Sequence, residues 1–245
     1  MSGQHPRVGW NSSRVALERN SNLLVAALDA AIGCKLHLQP INFEQGAVLC
    51  EPADRLRYVF FPVTCVVSSI SVLRDGTAIE TAVAGREGAF GLLTVLGSGL
   101  ISARCQVQIG GHALQLQAKD FIGLFHRSEP VRRVTMGYIE TLMFQNLQSV
   151  ACKTSHSVEA RLCRWLLTMQ DRVGGNLLSF THEFVAPSLG ANRTTLSLAM
   201  AGLRHAGLVA YARSDVTILN REGLERKSCE CYFNLRQRYE QLFGN

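Results

Sequence analysis

From Tyr138 to Val173 the chain contains neither glycine nor proline. These two residues interrupt helices most strongly, glycine through backbone entropy and proline through its missing N–H. A break-free run of roughly 35 residues therefore commits the middle of the chain to helix, beyond the length of an ordinary globular helix. The polar cluster Lys153-Thr154-Ser155-His156-Ser157 divides it in two, with Thr154 or Ser155 capping the second helix. Upstream, Ser128 can cap the first, and Pro130 suits a first turn. Met136, Met143 and Val150 recur at heptad spacing, with Ile139 and Leu147 near the same stripe. Such a stripe serves as a dimer seam or packs on a neighbouring domain, and periodicity alone does not choose.

The region before this helix has a different period. Residues 1–22 read as a polar tail, and Leu23-Leu24-Val25-Ala26-Ala27-Leu28 as a short apolar helix. From about 36 to 125, short β-rich runs follow one another: Leu36-His37-Leu38, Ala47-Val48-Leu49, Tyr58 to Phe61, Cys65 to Leu73, Ala78 to Val83, Ala103 to Ile109 and Ala113 to Gln117. Turn residues separate them, and Asp75-Gly76 between two apolar runs is a hairpin signal. Many short strands at this spacing imply a sandwich or barrel.

Composition narrows the class. The chain has 245 residues, 47% hydrophobic and 18% charged, which suits one or two folded domains. It has no apolar run of the roughly 18 residues a membrane helix requires, and Met1 to Asn20 lacks a signal-peptide core, so a cytoplasmic protein without membrane contact is expected. The eight cysteines form no C-x-x-C pair and are read as reduced thiols, most in apolar surroundings. Cys229 and Cys231 stand apart, in a C-terminal helix read from Arg221. Two thiols can bind metal or sense oxidant, but two ligands are too few for a structural zinc site, and i, i+2 positions on a helix diverge. Packing is the default role, and no metal site is assigned. The net charge is +6. From Lys153 onward, 12 Lys and Arg oppose 8 Asp and Glu, so the C-terminal part carries most of the excess. A polyanion partner and a mildly basic solvated surface explain this equally well.

Phe180 to Leu219 is the most informative segment. His182-Glu183-Phe184-Val185-Ala186 begins a short helix that Thr181 can cap. Gly190 accepts the left-handed backbone a tight turn needs. Asn192 caps a second helix, Arg193 to His205, with Leu196, Met200 and Leu203 on one face and Arg193, Thr194, Ser197 and Ala201 on the other. Leu208 to Tyr211 and Val216 to Leu219 then form a hairpin through Arg213-Ser214-Asp215. This is the pattern of a winged helix-turn-helix whose second helix enters the major groove. Arg193 can donate two hydrogen bonds to guanine, and Thr194 and Ser197 can reach bases or backbone. The helix start at Thr181 and His182 suits a phosphate. Asn192, Thr195 and Arg213 complete the expected DNA-binding set. Pro187 inside the first helix is expected to kink it or end it early.

After about residue 22 the chain resembles the Crp/Fnr family of bacterial transcription regulators. The resemblance rests on Phe43 to Leu49, Glu51 to Asp54, Tyr58 to Pro62, Gly85-Arg86-Glu87-Gly88-Ala89-Phe90-Gly91, Glu159 to Leu167 and Leu189 to Leu196, in this order and spacing. It implies an α+β architecture: a β-roll sensor domain of the cyclic-nucleotide-binding jelly-roll kind (23–127), a dimerisation helix (128–153), and a winged helix-turn-helix with a C-terminal helix (154–245). It implies a homodimer on a palindromic operator of double-stranded DNA, with RNA polymerase as a further partner, and an effector pocket near Gly85, Gly88, Gly91 and Ser102. Where the cyclic-nucleotide binders carry a ribose-binding Glu and a phosphate-binding Arg-Ser, this chain has Leu92 and Ile101-Ser102. A buried cyclic phosphate would lack its cation, so cAMP binding by the usual mode is not expected. The cysteine cluster of the iron–sulfur relatives is absent. His37, His112 and His126 are available to haem but read as ordinary surface or loop histidines, so no cofactor is assigned. Leu198 replaces a residue often polar and base-reading in the family. The alternative reading is a small-molecule sensor that signals to a protein partner through a vestigial DNA-binding domain. No His-x-His pair, nucleophile elbow or P-loop occurs, so no enzyme is expected.

Overall fold

The computed structural model describes residues 22–212 and 214–244. The polar tail through residue 21 and Arg213 lie outside the described residues. The first helix, α1 (Leu23–Ile32), is capped by Asn22, whose Oδ1 accepts from the Val25 amide while its Nδ2 donates to the carbonyls of Pro62 and Gly88. One buried side chain thus starts the helix and fastens it to the strands beyond.

Two antiparallel sheets follow. Strands β1 (Gln39–Phe43), β7 (Gly111–Gln117) and β3 (Tyr58–Pro62) pair in the order β1-β7-β3. Strands β2 (Val48–Cys50), β6 (Arg104–Ile109), β4 (Val66–Val72) and β5 (Ala78–Ala84) pair as β2-β6-β4-β5. Val59, Phe61, Val67, Val107, Leu114 and Leu116 share one buried core. The opening strand falls at Gln39–Phe43, not at Leu36-His37-Leu38. It includes Pro40, which an edge strand tolerates because its missing N–H costs no ladder bond. Leu36 and Leu38 are buried all the same.

A short helix, α2 (Leu92–Leu96), leaves the glycine-rich turn. The strands give way to helix earlier than the β-rich reading placed it, at α3 (Ala118–Arg127). Here Phe121 is buried in the same core while the polar residues face out, a helical pattern hidden by its short length. Ser128 breaks the path and caps α4 (Glu129–Ser155), with Pro130 in the first turn. The next helix, α5 (Val158–Val173), is capped by Ser157, which accepts from the Ala160 amide, rather than by Thr154 or Ser155.

The C-terminal unit comprises β8 (Leu177–Ser179), α6 (His182–Leu189), α7 (Arg193–His205), β9 (Val209–Ala212), β10 (Asp215–Ile218), α8 (Arg221–Lys227) and α9 (Cys231–Phe243). The expected hairpin is β9–β10, joined by the unanticipated β8 into a sheet of order β8-β10-β9. A second core of Leu162, Trp165, Leu166, Phe180, Leu196, Met200, Leu203 and Val216 holds it together. Pro187 does not end α6, which continues to Leu189. It stands in the last turn, where the helix is about to stop at Gly190, so the lost hydrogen bond interrupts little. The single C-terminal helix read from Arg221 is instead two, broken at 228–230, which places Cys229 before α9 and Cys231 at its first residue.

Candidate nucleic-acid interface and sensor pocket

Gly190 takes a left-handed conformation at φ 58° and lets the chain reverse between α6 and α7. Asn192 then fixes the start of α7. Its Oδ1 accepts from both the amide (2.8 Å) and the hydroxyl (2.9 Å) of Thr195, so Thr195 helps build the cap. Leu196, Met200 and Leu203 anchor the inner face in the core, while Arg193 and Thr194 are exposed. Ser197 donates to the Arg193 carbonyl at 2.9 Å and lies 3.0 Å from His182 Nδ1. With the hydroxyl proton committed to the carbonyl, the imidazole Nδ1–H is the donor in that second contact. Burial and the neighbouring Arg193 guanidinium lower the His182 pKa, which keeps the ring neutral. Thr181 stands exposed at the start of α6 without a side-chain capping bond, leaving its hydroxyl accessible. Six expected residues from two helices thus sit around one turn: His182, Asn192, Arg193, Thr194, Thr195 and Ser197. Leu198, 70% exposed on the same helix, offers an apolar contact of the kind a thymine methyl accepts.

In the β-roll, a cavity of about 230 Å³ lies between the strands and α4, bordered by Ser69, Thr81, Gly91, Leu92, Ile101, Ser102 and Asn146. Gly91 and Ser102 therefore fall where the sequence places the pocket. No charged side chain borders it among the described residues. Gly85 and Gly88 do not border it. A Cβ on Gly88 would collide with the Tyr138 ring, and one on Gly85 with the Arg172 side chain.

Those two close approaches belong to a polar network that sequence patterning missed. The Tyr138 hydroxyl donates to the Ala89 carbonyl and accepts from the Ala89 amide, each at 3.0 Å. Glu87 accepts from the Gly85 amide and from Arg172 Nε at 2.8 Å, an ion pair buried on both sides. Arg172 Nη2 donates to Gln145 Oε1 at 2.7 Å, and Gln145 Nε2 to the Val83 carbonyl. The Tyr239 hydroxyl reaches the same Gln145 oxygen. The glycine-rich turn, α4, α5 and α9 thus meet at one buried set of charges. A charged residue inside an apolar helical stripe, such as Arg172, is the only sequence trace of it.

A second link joins α6 to the roll. Glu80 Oε2 on β5 accepts from Ser188 on α6 (2.8 Å) and from Ser68 on β4 (2.7 Å), while Gln108 on β6 donates to Ser188. Lys153 Nζ donates to the Glu80 carbonyl.

A helix-turn-helix with a wing, attached by a long helix to a jelly-roll domain with its own cavity, defines a DNA-binding regulator with a cyclic-nucleotide-binding-like fold. Residues 160–227 match the Crp-like helix-turn-helix domain, and the chain is a Crp-like transcription regulator with a helix-turn-helix DNA-binding domain. It is 25% identical to the global nitrogen regulator of Synechococcus elongatus, over 85% of this chain and 98% of that protein. Its fold is similar to FixK2 from Bradyrhizobium japonicum, with a TM-score of 0.67 at 17% identity over 79% of this chain and 98% of that one. It is also similar to a CRP-family transcriptional regulator from Thermus thermophilus, with a TM-score of 0.63 at 20% identity over 77% and 96% of the two chains. No helix among the described residues is long and apolar enough to cross a membrane.

Proposed function

We propose that the protein acts in the cytoplasm as a homodimer that reads a twofold-symmetric operator through α7 of each subunit. The observation that carries this reading is the exposed first turn of α7, where Arg193 and Thr194 project from a start fixed by Asn192. Dimerisation is supported by the stripe on α4. Met136, Met143, Leu147 and Val150 are 51%, 48%, 66% and 65% exposed, so the heptad residues turn away from the roll and need another surface to cover them. Two such subunits would present their reading helices about 34 Å apart, one helical turn of DNA. RNA polymerase is the protein partner expected at a promoter.

The β-roll cavity takes an effector other than cAMP. Its borders are neutral, and buried Leu92 and Ile101 stand where a ribose-binding carboxylate and a phosphate-binding guanidinium would be required. Pro187, which motivated the reading of a vestigial DNA-binding domain, leaves α6 intact to Leu189, so no structural observation favours that reading.

Gel-shift titration against operator fragments recovered by genome-wide mapping tests the assignment. Affinity is expected to fall steeply with salt, as released counterions require. A shallow salt dependence with no preferred sequence would overturn it. Calorimetry with cAMP is expected to show no micromolar binding, and heat of that strength would refute the pocket assignment.

A further inference from the structure

Cys152, His156, Cys229 and Cys231 converge from two distant parts of the chain, their donor atoms all within 4.8 Å of one another. Cys152 and His156 are one helical turn apart at the end of α4, a spacing that aims both side chains the same way. Cys229 and Cys231 flank the break between α8 and α9, so they do not diverge as they would inside a helix.

From this convergence we infer a zinc site in which three thiolates and the His156 imidazole supply a closed tetrahedral set, clamping the C-terminal unit to the dimerisation helix. A tetrahedral zinc with ordinary bond lengths separates two sulfurs by roughly 3.8 Å and a sulfur from a nitrogen by roughly 3.6 Å. Cys152 Sγ lies 3.5 Å from Cys229 Sγ, and Cys231 Sγ lies 3.6 Å from His156 Nδ1. The surroundings match what such sites require. His156 Nε2 lies 3.2 Å from the Glu230 carboxylate, which places the proton on Nε2 and leaves the Nδ1 lone pair facing the sulfurs. Gln148 Nε2 donates to Cys231 Sγ at 3.1 Å. Three thiolates on a divalent ion leave one negative charge, which the Arg164 guanidinium, an electrostatic neighbour of Cys152, partly offsets. Binding displaces the thiol protons to solvent and changes no oxidation state. All three cysteines are buried, so the cluster fits a structural ion better than an exchangeable one.

The test uses untagged full-length protein from zinc-supplemented cells, kept under reducing conditions. Elemental analysis is expected to find one zinc per protomer. Replacement by cobalt should give thiolate-to-cobalt charge-transfer and tetrahedral ligand-field bands. Cys231→Ser should abolish stoichiometric retention. Glu230→Gln should weaken zinc affinity on the order of 10-fold, as loss of a ligand-orienting carboxylate does. His156→Ala, at a partly exposed position, keeps the test valid if cysteine variants fail to fold: its cobalt spectrum should lose intensity while circular dichroism is unchanged. Folded wild-type protein that carries no zinc and gives no thiolate–cobalt band would overturn the proposal. So would a Cys152–Cys229 disulfide as the stable form under reducing conditions.

Discussion

Arg193 is the residue on which the proposed base reading turns. It is exposed at the first position of α7, and its guanidinium can meet guanine through two donors. Arg193→Ala is expected to weaken binding to the mapped operator by about 1–3 kcal/mol and to relax preference at one base pair. Unchanged affinity in a competition gel-shift would remove Arg193 from the readout. In the glycine-rich turn, Gly88 has no room for a side chain beside the Tyr138 ring. Gly88→Ala drives a methyl into the Tyr138 ring, which cannot yield because its hydroxyl bonds both backbone groups of Ala89. A marked loss of thermal stability is expected, and a melting curve that superposes on the parent would contradict it.

Between elements, the buried pair of Glu87 and Arg172 has the largest expected effect. Removing one member leaves the other charged in a site with little water, which typically costs ~3–5 kcal/mol. Arg172→Met should therefore destabilise by that order in denaturant titration, and Glu87→Gln by less, since the amide can still accept from Arg172. Equal, negligible effects would mean that the pair is solvated. This network also marks the boundary of what sequence reveals. The span of α7 is readable to the residue because the Asn192 cap, the apolar period of Leu196, Met200 and Leu203, and Gly207 just past its end agree. Helix α3 is hidden because ten residues give barely three turns of periodicity, beside strands of similar apolar content. Strand β8 is hidden because three residues make no pattern until β10 pairs with them. The grouping of Cys152 and His156 with Cys229 and Cys231 is a property of tertiary folding that no local spacing encodes.

For the molecule as a whole, the proposed dimer rests on the α4 stripe. Leu147→Asp with Val150→Asp places charge in the middle of that face, and sedimentation should show the dimer giving way to monomer, with loss of high-affinity binding to a two-half-site operator. A dimer that survives both changes must be held elsewhere. One further consequence follows from Glu80. The strand that carries it also supplies Thr81, Ala82 and Val83 to the cavity wall, while Glu80 itself grips the first helix of the DNA reader through Ser188. A molecule lodged in the roll would lean on the same short ribbon of backbone that steadies the reading head. Between the cavity wall at Thr81 and the bond to Ser188 lies a single step along that strand.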